Sequence, residues 1–145
     1  MKPDETLELL TAAMLLEQAA IVNQLSRLFT AGAAGALLVL PAAGITIPRL
    51  TLSCAAVAIA AGVAEAYLAV RVGFDAAVFR QYAEHDDCDF TRIDVALQTL
   101  RLRPNGDFGR SVASRFAGSK RLLSLQVLMC LVQMASAVSG AVGAN

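Results

Sequence analysis

The chain has 145 residues, of which 57% are hydrophobic and none is tryptophan. Soluble domains are usually about 45 to 50% hydrophobic, so this composition favours a small helical membrane protein. The 12 basic and 12 acidic residues cancel, and such a balance does not indicate a nucleic-acid-binding surface. The 3 cysteines include no CxxC spacing, which argues against a disulfide framework.

Three apolar stretches of the chain are long enough to cross a membrane. Residues 28–48 and 122–145 carry no charge, and residues 50–70 carry a single one, at Glu65. A hydrocarbon core of ~30 Å needs about 20 apolar residues in a helix. The sequence therefore predicts an all-α integral membrane protein with three transmembrane helices.

The first two spans are predicted to form an antiparallel hairpin over residues 1–84. Pro41 and Pro48 bracket a short connector, where they are expected to stop one helix and start the next, and short connectors make antiparallel neighbours. Both helices are expected to extend beyond the membrane on the cytosolic side. The first extension is indicated by an apolar stripe at helical spacing: Leu7, Leu10, Met14, Ile21, Leu25 and Leu28.

The distribution of basic residues predicts the orientation. Eleven of the twelve Lys and Arg residues precede the first span or lie in residues 71–121, and only Arg49 lies in the hairpin connector. Because cytosolic loops are enriched in Lys and Arg, we expect the N-terminus and residues 71–121 in the cytosol and the C-terminus outside. The acidic start does not resemble a signal peptide, so residue 1 is expected to be the true start. The Ala- and Arg-rich usage favours a bacterial inner membrane.

Residues 85–121 are predicted to form a small cytosolic helix-turn-helix cap before the third span. Thr91 and Asp94 resemble a capping box, and the segment RPNGD, residues 103–107, is typical of a turn. A helix starting near Asp107 is expected to continue into the third span. Basic residues close to the membrane are expected to contact anionic headgroups: Arg110, Arg115, Lys120 and Arg121.

Two charges are predicted at the same depth in the hairpin. If the connector turns near residue 45 or 46, residues whose numbers sum to about 92 are level, and Arg27 and Glu65 satisfy that rule. An unpaired charge in a membrane is costly, so an Arg27–Glu65 ion pair is expected. Two alternatives stay open: the side chains reach the headgroups independently, or Glu65 carries an ion or a proton.

Small residues in both hairpin helices are expected to allow close packing. The same depth rule sets Gly32 near Gly62 and Ala36 near Ala58. The predicted packing set is Gly32, Gly35, Ala36, Ala58, Gly62 and Ala66.

The third span carries a polar stripe made of Gln126, Cys130, Gln133 and Gly140. Amides in lipid need hydrogen-bond partners, which either the hairpin or another subunit could supply. Lining a pore in an oligomer is the functional alternative.

Neither a metal site nor a cofactor site is predicted. His85 and Cys88 share a helix face, but a structural zinc site needs four ligands, and a second pair would have to come from a second copy of the chain. A calcium loop starting at Asp87 fails because Arg92 stands where glycine is required.

We therefore expect a non-enzymatic integral membrane subunit, acting as a scaffold, assembly factor or accessory component of a homo- or hetero-oligomeric complex. Its expected partners are the lipid bilayer and copies of itself or other membrane subunits. The alternative is a small oligomeric ion or proton channel, or transporter, that uses Glu65 and the polar stripe.

Overall fold

Residues 3–42 form one nearly continuous helical rod. The computed structural model describes residues 3–84 and 112–143, together with Val95 and Thr99. Helix α1 covers Pro3–Glu17 and helix α2 covers Ala19–Ala42. Gln18 between them keeps right-handed helical dihedral angles, and its N–H donates to the carbonyl of Leu15 at 3.3 Å. This tighter i to i−3 bond marks the join without turning the chain.

The hairpin turn is made by glycine rather than by the proline predicted to stop the helix. Pro41 lies inside α2, one residue before its end at Ala42, so the helix ends close to the predicted position, but Pro41 itself is not the cap. Gly44 has a φ of 75°, and its N–H and that of Ile45 donate to the carbonyls of Pro41 and Leu40 at 3.0 Å each. This pair of bonds is a helix C-cap that requires a left-handed residue, which glycine adopts without a Cβ clash.

Helix α3 follows directly after Pro48 and covers Arg49–Glu84, a continuous 36 residues. At 1.5 Å per residue its length is about 54 Å, well beyond the ~30 Å of a hydrocarbon core. Helix α4 covers Val112–Val142, so the third span continues a helix that begins before residue 122. None of the residues in the described ranges lies in a strand.

The long helices form one bundle in which α3 runs antiparallel to the other two. Contacts between α2 and α4 join Ala19 to Gln126 and Ser26 to Gln133, each 107 residues apart, and this constant offset means that α2 and α4 are parallel. Within the described part of the chain, three segments are long and apolar enough to cross a membrane: Thr6–Ala42, Arg49–Glu84 and Ala113–Val142.

A hydrophobic core closes the end of the bundle that holds the N-terminus. There, α1 packs against the C-terminal half of α3 and the first turns of α4. Leu16 and Phe79 are fully buried in this core. Phe79 also meets Phe116 of α4 edge to face, with ring centroids 6.3 Å apart. This core fixes the level at which the three helices meet and therefore the register of the polar groups farther along.

Candidate functional site

The carboxyl group of Glu65 lies inside the bundle and contacts the third span. Its side chain is 0% exposed, and its Oε1 accepts a hydrogen bond of 2.7 Å from Nε2 of Gln126. The same Nε2 donates to the carbonyl of Ala19 at 3.0 Å. Oε2 of Glu65 and Oε1 of Gln126 are both buried without a partner among the described residues. The Gln126 amide thus joins α2, α3 and α4, while one oxygen of Glu65 and one of Gln126 have no hydrogen-bond partner in the described structure.

Gln133, two turns farther along α4, is the centre of a second polar cluster. Its Oε1 accepts a hydrogen bond of 2.6 Å from the Ser26 hydroxyl. Its Nε2 lies 2.8 Å from Oγ1 of Thr30 and 3.1 Å from the carbonyl of Ala58. Gln133 is also 0% exposed, so this cluster again ties α4 to both helices of the hairpin.

The two glutamines belong to a polar column that repeats every seven residues along α4 and consists of Ser119, Gln126, Gln133 and Gly140. At its ends, Ser119 donates to Oδ2 of Asp75 at 2.5 Å, and the carbonyl of Gly140 accepts from Thr51 at 3.1 Å. A seven-residue repeat keeps one helix face on its neighbour. The hairpin of the same chain therefore supplies the partners, and a pore lined by this stripe would require these bonds to break.

Close helix approach is concentrated at Gly62. A Cβ placed there would overlap Oγ1 of Thr30 and lie 2.5 Å from Nε2 of Gln133. Ala58, one turn before, is 1% exposed, whereas Ala66 is only half-buried. Near the hairpin, a Cβ at Gly140 would lie 3.1 Å from Cβ of Cys54. Small residues of α3 and α4 thus bring the backbones close enough for the short amide side chains to bridge them.

The predicted ion pair between Arg27 and Glu65 is absent. The depth rule itself holds, because Thr30 contacts Gly62 and these numbers also sum to 92. Arg27, however, is exposed, whereas Ser26 beside it is buried. Consecutive helical residues point about 100° apart, so only one of the two can face the bundle interior. The rule fixed the depth of Arg27 but not its direction.

Gly32 and Ala36 of α2 do not pack within this chain, contrary to the predicted pairing of Gly32 with Gly62 and Ala36 with Ala58. Gly32 and Ala36 are exposed, and a Cβ at Gly32 or Gly35 would meet no atom within 4 Å. The hairpin contact instead runs along the side of α2 that carries Ser26 and Thr30, with hydroxyl groups in place of the predicted glycines.

The apolar stripe that indicated the first helix lies on the outer side of the rod. Four of its residues are spaced seven apart and form what we call the exposed stripe: Leu7, Met14, Ile21 and Leu28, which are 66%, 62%, 57% and 70% exposed. The opposite side of α1, with Leu9 and Leu16, makes the core contact. Helix α1 is therefore apolar on two faces, and the bundle covers only one.

A groove of about 530 Å³ separates the rod from the C-terminal half of α3. Its wall is built from small residues, including Ala20 and Gly73. A salt bridge of 2.5 Å between Arg80 and Glu17 crosses it. Because this ion pair lies at the surface, it contributes ~1 kcal/mol at most.

The remaining predicted residues lie near or beyond the limits of the described chain. Arg115 is half-buried, and Lys120 and Arg121 are exposed; headgroup contact stays a prediction. Arg110, His85 and Cys88, together with most of the predicted cap, lie outside the described residues. Within the described ranges no three potential metal-ligating side chains cluster, and Cys54 and Cys130 are free thiols.

Three hydroxyl residues of the site were not predicted from the sequence: Ser119 in the polar column, and Ser26 and Thr30 on α2. Ser26 and Thr30 are bonded to Gln133, and Ser119 pairs with Asp75. A signal was present, because Ser119 extends the spacing of Gln126 and Gln133 by one more heptad. Ser26 and Thr30 are one helical turn apart at the depth of Gln133, but isolated hydroxyl residues occur on every face of membrane helices.

Comparison of the chain with models of known protein families, with curated proteins and with solved structures finds no match. Chemically, the described site joins amides, hydroxyls and the carboxyl groups of Glu65 and Asp75 across three helices.

Proposed function

We propose that the protein is a non-enzymatic integral membrane subunit, a scaffold or accessory component that binds a helix of a partner membrane protein along its exposed stripe. In this proposal the lipid bilayer surrounds the three apolar spans. The observation that carries the proposal is the exposure of large apolar side chains on α1, many residues before the charge-free part of the first span.

The length of the rod supports the proposal that lipid covers only part of the exposed stripe. The charge-free part of the first span starts at Leu28, and Leu7 lies 21 residues before it, which is about 31 Å of helix. Leu7 and Met14 would therefore project beyond the hydrocarbon core. Full burial of such a side chain is worth about 1.5 to 3 kcal/mol, so a partner that covers both gains several kcal/mol.

The chemistry of the partner follows from spacing and charge. A face with apolar residues every seven positions fits a second helix packed side by side. Glu8 is exposed beside this face, and Glu17 is exposed as well but is bridged to Arg80. A parallel second copy would bring the Glu8 side chains of two identical helices near each other, which is unfavourable, whereas a helix with basic flanking residues is complementary. We therefore favour a different membrane protein with a basic helix over self-association.

Met14→Gln is expected to release the partner while leaving the fold intact. The residue is 62% exposed and contributes to no described core, so a polar side chain weakens only the outer contact. Phe74→Gln is the matched control, because Phe74 is 50% exposed on α3, away from the stripe. The mass of the particle extracted in mild detergent should fall for Met14→Gln alone.

Site-specific photocrosslinking in native membranes identifies what covers the stripe. A photoreactive residue at Met14 is expected to yield a discrete adduct whose crosslinked peptide is a helix of another membrane protein. An adduct of twice the chain mass would show that a second copy of this chain, rather than a different protein, covers the stripe. A monomer-sized particle with adducts only to lipid would contradict the proposal.

For localisation we propose the inner membrane of a bacterium, with the N-terminus and residues 71–121 in the cytosol. The support is the concentration of Lys and Arg on that side of the spans. A periplasm-dependent reporter fused after Asn145 is expected to be active, and one fused after Glu84 inactive. The reverse pattern would invert the orientation.

A further inference from the structure

Two oxygen atoms in the middle of the bundle need a hydrogen. Oε2 of Glu65 and Oε1 of Gln126 are buried and have no partner in the described structure. They belong to side chains that are each 0% exposed and already joined to one another by the 2.7 Å bond. Both hydrogens of the Gln126 amide are used, on Glu65 and on Ala19. A carboxylate and an amide oxygen can only accept, so neither satisfies the other.

We propose that Glu65 and Gln126 form a proton-binding site, with the proton carried on Oε2 of Glu65 and donated to Oε1 of Gln126. A neutral carboxyl group has one donor and one acceptor, and a primary amide presents the same pair in the opposite order. The existing N–H···O bond and the added O–H···O bond then satisfy both oxygens in one ring. The site binds α3 to α4 through two bonds instead of one.

In the described ranges no cationic side chain pairs with the Glu65 carboxyl group. The groups around it are the Gln126 amide, the Ala19 carbonyl that shares this amide, and the buried Cys130 one turn farther along α4. Salt-bridge partners of Glu65 are absent from the described residues. The cationic side chains of the neighbouring segments are exposed: Arg27, Arg71, Lys120 and Arg121. An unpaired buried charge costs several kcal/mol, and a bound proton removes that cost.

A metal cation fits this site less well than a proton does. Calcium and magnesium take about six or more oxygen ligands. Here Glu65 and Gln126 offer two unpartnered oxygens, and no cluster of further ligating side chains exists in the described ranges.

Infrared spectroscopy of the purified protein in lipid nanodiscs at neutral pH tests the assignment. The wild type is expected to show the carbonyl stretch of a neutral carboxylic acid, shifted in D₂O, and Glu65→Gln is expected to lose it. Glu17→Gln, which removes an exposed carboxylate, should leave that band unchanged. Gln126→Leu should move the band to higher frequency, because the carboxyl group then loses its amide partner.

The stability of the Glu65→Gln variant against denaturant is a second test. A glutamine reproduces the donor and acceptor of the neutral acid, so this variant is expected to unfold at the wild-type denaturant concentration. Failure of Glu65→Gln to fold would overturn the proposal. It would mean that an amide cannot replace the Glu65 side chain, as it should if that side chain is a neutral carboxylic acid. A wild-type spectrum with carboxylate bands alone, or a neutral-acid band that survives in Glu65→Gln, would overturn it as well.

Discussion

Replacing Gly62 with alanine is expected to lower the free energy of unfolding by about 1 to 3 kcal/mol, the usual cost of overpacking. The new Cβ would overlap Oγ1 of Thr30 and lie 2.5 Å from Nε2 of Gln133. Neither atom can move freely, because Thr30 donates to the carbonyl of Ser26 at 2.9 Å and Gln133 to Thr30 at 2.8 Å. Denaturant unfolding of the detergent-solubilised protein, followed by circular dichroism, measures the change.

Gly35→Ala is the matched control for this substitution. A Cβ at Gly35 meets nothing within 4 Å, so only helix propensity changes, which favours alanine by up to about 1 kcal/mol. The two alanine variants should therefore differ in sign. Equal losses at both positions would mean that Gly62 is not the point of closest helix contact.

Gln133→Leu is expected to cost about 2 to 3 kcal/mol of unfolding free energy. The volume is nearly conserved, but the bonds to Ser26, Thr30 and Ala58 are lost. Single interhelical bonds in membranes are worth ~0.6 to 1.7 kcal/mol, and the Ser26 hydroxyl is left buried without its acceptor. The same unfolding experiment measures this loss.

Gln24→Leu on α2 is the matched control for Gln133→Leu, because Gln24 is exposed. Gln24→Leu should change the unfolding free energy by less than about 0.5 kcal/mol, as is usual at surface positions. In a double-mutant cycle, Ser26→Ala and Gln133→Leu should be non-additive, because they remove the same bond. Additive losses would show that the Ser26–Gln133 bond contributes nothing.

The sequence was informative about length and depth because both depend on counting residues. Charge-free runs gave three helices long enough to span a membrane, and the depth rule put residues 30 and 62 level, where Thr30 and Gly62 do meet. The direction in which each side chain points around the helix axis was harder to predict from the sequence. On an Ala-rich helix that is apolar on every side, periodicity does not distinguish the face of Ser26 from that of Gly32.

Site residues were predictable where lipid leaves few alternatives. Gln126 and Gln133 must find partners in a membrane, and their common stripe implied that they share a neighbour. Glu65 was recognised as costly, yet its partner was expected to be the nearest opposite charge rather than an amide. The error arose because the pairing of Arg27 was judged from depth alone, while an arginine at a helix surface can extend toward water.

The polar column on α4 and its partners in the hairpin are synthesised at different times. The ribosome completes α2 and α3 before α4, so Ser26 and Glu65 exist before Gln133 and Gln126, the residues that bind them. Unsatisfied polar groups in hydrocarbon cost several kcal/mol each. A hairpin without α4 is therefore expected to be less stable in a bilayer than the complete chain, because Ser26, Thr30 and Glu65 then lack the amides that bind them in the structure. The satisfaction of these hairpin groups depends on completion of the last helix.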